Sequence, residues 1–596
     1  MCGIVGLFPR PGERFEASDA ARSLEVMQRR GPDAEGLRVE EGCVLGHRRL
    51  AIQDLDARSN QPMDSAQGRF VISFNGEIYN VAALQRELRS GGVTLRTTSD
   101  TEVILHLFER EGPAMLTRLR GMFAIIIWDR VAKRAFLARD PYGIKPLYVA
   151  TTPEGTIVAS QVKGLLATGR VSREPDPKGQ AAFWMLGSVA EPRTWFRDIA
   201  SIQCGHYAWI EEGRLSKSTG WWDIASSWRE PSRVDVPDAE VRACVREALK
   251  ESIRAHLVAD VPVGLLLSGG IDSGAIAGLM VDCGVEQIHA VTVTFPEFTG
   301  KHADEVPGAT STAEAAGLRH TIRPVTEKEF YDDLPRILAA VDQPSVDGIN
   351  TWYATKAIAE QGLKVALSGV GGDELFLGYK SFSSLPSIQA KWSRFSGIPF
   401  AMDAARVAAK IQARRTGNSR WSNAPDWFRT IPGAWWARRG LFGPSDLPGL
   451  MGEERAREVL ADFSPESWIG EMSGTLPGDP VLALAQIEST TYLRNQLLRD
   501  SDWASMDHSV ELRTPLVDAW LLKQVQPMLA SFERYPKKQL LSQAPGRHLS
   551  DDVALRAKTG FGIPIQHWLA SAGLAGRGEG STRGWGRYLA QHLYAA

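Results

Sequence analysis

Apolar residues along the 596-residue chain change their spacing part-way through. Up to about residue 210 they come in short runs broken by Gly and Pro, the spacing of strands joined by tight connections. Val71-Ile72-Ser73-Phe74 leads into Asn75-Gly76, a dipeptide that reads as a turn. Residues 123–128 and 135–139 predict a strand pair around Asp129-Arg130, and 82–90 and 100–109 predict helices. This pattern suits stacked sheets with flanking helices. A polar stretch over 211–237, holding Trp221 and Trp222, reads as a connector.

Beyond about residue 238 the period lengthens. A helical pattern over 241–257 precedes Val263-Gly264-Leu265-Leu266-Leu267, the unbroken apolar run of a buried parallel strand. Helix is predicted at 273–282, 328–341 and 351–361, and strand at 288–295 and 364–368. Alternating strands and helices predict a doubly wound α/β core. The segment 381–480, rich in Arg, Trp and Pro, is read as mostly helical. No internal repeat or low-complexity tract interrupts the chain. The expected organisation is a first domain over 1–212, a linker over 213–237 and a second domain over 238–596.

Composition narrows the classes. The chain is 43% hydrophobic and 23% charged with a formal net charge of −2, which gives no global pull toward nucleic acid or anionic membrane. No apolar run approaches the roughly 20 residues that span a bilayer, and the start lacks the basic and long apolar regions of a signal peptide. Five scattered cysteines (Cys2, Cys43, Cys204, Cys244 and Cys283) form no CxxC pair and suit neither a disulfide framework nor a zinc site. A cytoplasmic enzyme with reduced thiols is the expectation.

Cys2 is followed by Gly3. Loss of the initiator methionine would leave a thiol and an α-amine on one residue, and an amine with a pKa of about 7.7–8.0 can act as local base for the thiol. In order follow Arg30-Gly31-Pro32-Asp33, Gly46-His47-Arg48-Arg49-Leu50-Ala51-Ile52, Asn75-Gly76-Glu77-Ile78-Tyr79-Asn80, Thr98-Ser99-Asp100-Thr101-Glu102 and Arg139-Asp140-Pro141-Tyr142-Gly143. Each alone could be a surface arginine, a turn or exposed carboxylates. Together they resemble the class II glutamine amidotransferase domain of the N-terminal nucleophile hydrolases. The resemblance covers nearly all of the first 200 residues and implies an αββα sandwich. It also implies roles: Cys2 as nucleophile, the Asn75 side chain and Gly76 N–H as oxyanion donors, Arg49 on the glutamine carboxylate, and Glu77 and Asp100 on its ammonium. His47 reads as structural.

Ser268-Gly269-Gly270-Ile271-Asp272-Ser273 lies between a predicted strand and a helix, where backbone N–H groups can cradle phosphate. It lacks the GK[ST] ending of a Walker A loop. A second glycine-rich run, Leu367-Ser368-Gly369-Val370-Gly371-Gly372-Asp373-Glu374, also follows a strand. The first run resembles the pyrophosphate loop of ATP pyrophosphatases, and the second resembles the synthetase motif of asparagine synthetases. Residues 504–518 resemble that family's carboxy-terminal helix motif, and Lys558-Thr559-Gly560-Phe561-Gly562 its lysine loop. By resemblance, Asp272 and Asp373 hold Mg²⁺ against the pyrophosphate of ATP, Leu267, Val293, Ser368 and Gly369 line the adenosine pocket, and Lys558 neutralises charge on the adenylate. Helix capping is the alternative reading of the two carboxylates and ranks second to metal binding.

Three positions depart from the family pattern. Val370 stands where a Glu or Asp is common, Asp500-Ser501-Asp502-Trp503 replaces a Lys-x-Asp-Arg pattern, and Gln161 replaces a Glu. The resemblance implies glutamine, ATP and a small carboxylate acceptor as ligands, aspartate or another acid, and leaves a homodimer open. Two further classes stay open: an ATP-dependent cyclase resembling β-lactam synthetase, and a non-catalytic glutamine- and nucleotide-binding regulator.

Overall fold

The computed structural model describes residues 2–229, 233, 235–396, 398, 400–416, 418–556, 560, 562–571 and 581–593. Two antiparallel sheets make the amino-terminal part. One runs Ile199–Ser201, Tyr148–Thr151, Gly155–Ala159, Gly3–Pro9, Cys43–Arg49, Ala34–Glu40. The other runs Arg214–Leu215, His206–Glu211, Arg134–Arg139, Gly121–Asp129, Phe70–Ile78, Met63–Asp64. Strand alternation sends Val71 and Ile126 inward to meet Ile4, Leu45 and Val158 of the facing sheet. Ile72 and Phe74 point the other way, onto Val103 and Leu107 of the helix Asp100–Glu111. The helix Ala17–Val26 covers the outer face of the first sheet, so the layers are αββα.

Asn75-Gly76 is not a turn: it lies inside the strand Phe70–Ile78, with Asn75 opposite Ala124 and Gly76 opposite Phe123. Pairing along the whole nine-residue apolar strand Gly121–Asp129 outweighs the local turn preference. Glycine is needed there because a Cβ would collide with the Met122 carbonyl oxygen. The stretch expected as a connector carries structure too: Thr219–Gly220 pairs with His206–Glu211, and Trp221 stacks on Phe123 at 5.8 Å.

The carboxy-terminal part holds a five-stranded parallel sheet in the order Arg319–Pro324, His289–Thr294, Val263–Leu266, Val365–Leu367, Glu511–Arg513. Numbered along the sequence that order is 3-2-1-4-5, so strand order reverses between Val263–Leu266 and Val365–Leu367. In a doubly wound sheet the crevice outside the strand ends at this reversal is where ligands bind. Both glycine-rich loops emerge there. Arg319–Pro324 is a polar edge strand, and Glu511–Arg513 falls inside the segment likened to a helix motif; neither has the apolar run that marks a central strand. The segment 381–480 is mostly helical, as expected, with helices at Lys380–Phe395, Ala401–Thr416, Ile431–Arg439, Glu453–Leu460 and Pro465–Ser473. Among the described residues no helix is long and apolar enough to cross a membrane, and all five cysteines are free.

The two parts are joined by buried charge. Arg30 sends Nη1 and Nη2 to Asp502 at 2.7 and 3.1 Å, both residues at most 5% exposed. Its Nε donates to the Cys2 carbonyl oxygen at 3.0 Å. Arg120 binds Asp518 at 2.9 Å through Nε, and Arg513 lies 3.2 Å from Glu77. Removing one partner of such a pair strands the other charge, a loss of about 3–5 kcal/mol. Asp502→Ala is therefore expected to lower unfolding free energy by about that amount in urea titration, while Asp332→Ala, at the exposed pair with Lys328, shifts it by under about 1 kcal/mol.

Candidate active site

At the amino-terminal site the Cys2 N–H donates to Asn75 Oδ1 at 2.9 Å, and the thiol is buried. Burial pushes its pKa up, so a base is required to generate thiolate. The side-chain nitrogen of Asn75, on a residue with no solvent exposure, has no hydrogen-bond partner among the described residues. A buried amide N–H₂ left unpaired beside a thiol is the arrangement an oxyanion would complete. Arg49 is positioned by the carbonyls of Asp54 and Asp56 (3.0 Å) and by Asn60 Oδ1 at 2.7 Å. Glu77 accepts from Gln53 and faces Arg513. Asp100 starts its helix after the capping hydroxyl of Ser99 and accepts the Ile78 N–H at 3.1 Å; burial pushes its carboxyl up to about 6. His47 is buried, its Nε2 3.1 Å from the Phe74 carbonyl, and burial lowers its pKa to about 3, a structural neutral imidazole.

At the switch point the two glycine loops press together. A Cβ on Gly369 would lie 2.8 Å from the Asp272 Cβ, and one on Gly372 would strike the Asp272 carboxylate. Ser268 N donates to Ser273 Oγ at 3.0 Å and Gly270 N to Ser268 Oγ at 3.2 Å, which folds the loop over the start of the helix Ile271–Asp282. Gly269 N donates to the Glu305 carboxylate at 2.6 Å, an anion in a place suited to a phosphate oxygen. Leu267 and Val293 are buried beside the loop, and Ser368 N donates to the Arg513 carbonyl at 2.8 Å.

Asp272 and Asp373 converge on one cation. Lys538 Nζ lies 2.6 and 2.7 Å from the Asp272 oxygens and 2.7 Å from Asp373. Burial disfavours the ammonium, but the two carboxylates more than offset it and push its pKa up. Two carboxylates around a positive point fit a Mg²⁺ ion, which takes one or two protein carboxylates and completes its shell with phosphate and water. Lys538 and Arg556 were not legible in the sequence. Lys538 is the second of two adjacent basic residues, both in the left-handed backbone region, and a Cβ on Gly269 would meet the Arg556 guanidinium. Lys558 lies outside the described residues.

Glu374, next to Asp373, accepts from the Tyr379 hydroxyl at 2.6 Å; burial, with Asp373 adding, pushes its carboxyl up to about 7. Val370 is half-buried against the apolar core. Asp500 and Trp503 satisfy one another, indole Nε1 to Oδ1 at 2.8 Å, with Ser345 Oγ on Oδ2 at 2.6 Å.

Residues 1–222 match the glutamine amidotransferase domain family, and residues 244–579 match the asparagine synthase family. The chain belongs to the asparagine synthetase family. This makes it a glutamine-dependent carbon–nitrogen ligase, and its amino-terminal part is an αββα sandwich. A Mycobacterium tuberculosis protein with a provisional asparagine synthetase (glutamine-hydrolyzing) name is 32% identical over 602 residues, 96% of this chain and 89% of the relative. Asparagine synthetase (glutamine-hydrolyzing) 1 of Bacillus subtilis is 29% identical over 587 residues, 96% of this chain and 88% of the relative. Amidase chry2 of Gibberella zeae is 27% identical over 620 residues, 95% and 90%.

Burial, with Asp347 adding, raises the Asp500 carboxyl from 3.8 to about 7. A raised pKa means the fold favours the protonated acid. Its support is complete below about pH 4 and is lost as pH rises through about 7, a change on the order of 4 kcal/mol. Asp500→Asn is expected to flatten the fall in stability between those limits, measured by denaturant midpoints across pH.

Proposed function

We propose that this family member hydrolyses glutamine at Cys2 and passes the ammonia to an acyl-adenylate made at the switch point. Its two working parts are the domains 1–212 and 238–596, joined through 213–237. The observation that carries the reading is the convergence of Asp272 and Asp373 on a single cation where both glycine loops leave the parallel sheet. Mg²⁺ held by Asp272 and Asp373 would screen the charge of the ATP pyrophosphate during nucleotidyl transfer.

With Met1 removed, the Cys2 amine takes the thiol proton and Sγ adds to the glutamine side-chain carbonyl carbon. Asn75 Nδ2 and the Gly76 N–H stabilise the oxyanion, Arg49 holds the substrate carboxylate, and Glu77 and Asp100 hold its ammonium. Collapse expels ammonia and leaves a thioester, which water hydrolyses to glutamate. In the second domain Leu267, Val293, Ser368 and Gly369 receive the adenosine, and Ser268, Gly269, Gly270 and Ser273 the phosphates, with Glu305 swinging off Gly269 N as they arrive. An acceptor carboxylate oxygen attacks the α-phosphorus and pyrophosphate leaves. Lys538 neutralises charge on the adenylate, a role that the family resemblance also gives Lys558. Ammonia then attacks the acyl carbon and AMP departs, giving the amide.

Aspartate is the acceptor that family membership suggests first. A different carboxylate is favoured by three particulars: Val370 offers no carboxylate, Asp500 replaces a cation, and Trp503 spends its indole N–H on Asp500. Relatives of similar length carry both synthetase and amidase names, which fits a family with more than one acceptor.

Cys2→Ala is expected to abolish glutamine-dependent amide formation and spare synthesis from added ammonium; equal loss of both would count against separate sites. Asp272→Asn is expected to cut pyrophosphate release at least 100-fold while glutaminase activity persists, read by paired pyrophosphate and glutamate assays; unchanged pyrophosphate release removes the metal assignment.

A further inference from the structure

The formal net charge of −2 conceals a strong local asymmetry. Residues 391–416 carry six basic side chains and a single acidic one, Asp403. They span the end of the helix Lys380–Phe395, a short corner and the helix Ala401–Thr416. Arg406 is bound by Asp403 at 2.9 Å and by Asp426 at 2.7 Å. Lys391, Arg394, Lys410, Arg414 and Arg415 make no ion pair among the described residues.

The same stretch exposes apolar surface. Of the thirteen large apolar side chains exposed among the described residues, five lie here: Phe395, Ile398, Phe400, Val407 and Ile411. Phe400 is 85% exposed and has a φ of 62°, a left-handed conformation that a bulky residue rarely adopts. Its ring gains no packing inside the protein to offset that conformation. Along Ala401–Thr416, Ala405, Ala409 and Ala413 turn inward, at the four-residue spacing of one helical face. Ala404, Val407, Ala408 and Ile411 make a second apolar stripe on the opposite face, in solvent. By helical geometry Lys410 and Arg414 border that ridge on one side and Arg415 on the other. A helix with apolar stripes on two faces calls for cover on both, and here one is covered.

We propose that the outer face of Ala401–Thr416, with the corner at Phe395, Ile398 and Phe400, docks on an anionic lipid surface. The helix lies in the plane of the interface, its ridge among the headgroups while the flanking cations reach lipid phosphates. A second copy of the chain does not suit the patch. It would set five unpaired cations against their like, with Asp403, already bound to Arg406, in opposition. An acidic protein would answer the charge, but carboxylates laid against Val407 and Ile411 would lose hydration to apolar side chains. Lipid supplies both chemistries at once. The helix Lys380–Phe395 starts beside Tyr379, whose hydroxyl binds Glu374, and runs 16 residues to the docked corner. That length, about 24 Å, holds the second glycine loop clear of the surface.

The test is sedimentation of the whole enzyme with vesicles. Vesicles of phosphatidylcholine and phosphatidylglycerol in equal parts are compared with phosphatidylcholine alone. The enzyme is expected to partition onto the anionic vesicles about 10-fold more strongly or better, and to leave them in high salt. Val407→Asp/Ile411→Asp and, separately, Lys410→Glu/Arg414→Glu are each expected to weaken that partition about 10-fold or more, with the unfolding midpoint unchanged. Lys217→Glu/Lys328→Glu, an equal charge change elsewhere on the surface, should leave it unaltered. Equal partition onto both vesicles, or none onto either, would overturn the proposal. So would release by the charge variant but not by the apolar one, the behaviour expected of a face made for an acidic protein. A solution dimer that Val407→Asp/Ile411→Asp dissociates, without vesicle binding, would assign the face to a second copy instead.

Discussion

The molecule depends on a guanidinium that has two jobs at once. Arg30 is held by the Asp502 carboxylate of the carboxy-terminal part, and its Nε–H reaches the backbone carbonyl of Cys2. The thiol therefore sits at the end of a strand whose first peptide is fixed by the other half of the chain. Arg suits this place because its planar fork can serve a carboxylate and a carbonyl together, which a lysine point charge cannot. The desolvation cost is high, so the pair earns little net stability. What it confers is position, because neither half can shift without unpairing a buried charge.

A second link reaches from one candidate site to the other in few steps. Glu77 faces Arg513, Arg513 is bound to Glu511, and the Arg513 carbonyl receives the Ser368 N–H. Two carboxylates share one buried guanidinium. Burial raises Glu77, whereas surrounding positive charge, Arg513 and Lys145 among it, overcomes burial at Glu511 and holds that carboxyl below its ordinary value. On the proposed function, a substrate ammonium at Glu77 would meet a group whose protonation is set partly by Glu511 and Arg513, on the strand beside the one that carries the second glycine loop.

Much of this was legible in the sequence wherever period and chemistry coincide. The buried strand at 263–266 shows because it is apolar on both faces, and the glycine loops show because close approach to Asp272 admits no other residue. The constellation of Cys2, Arg49, Asn75 and Asp100 could be named, though Asn75-Gly76 was expected in a turn and lies in a strand, since a dipeptide preference carries no information about a distant nine-residue partner. Edge strands such as Arg319–Pro324 have polar faces and leave only a weak trace. Lys538 could not be read at all: its meeting with Asp272 spans 266 positions, and a basic residue after Pro536 looks like any solvated surface lysine.

That lysine gives the synthetase pocket an internal counter-ion before any nucleotide arrives. On the proposed function, Mg²⁺ would take a place between the same two aspartates that an ammonium now occupies. An ammonium released from such a clasp is free to turn toward newly bound phosphate oxygens on a flexible four-carbon arm. Divalent-ion binding and the freeing of a basic group for the nucleotide would thereby be one event.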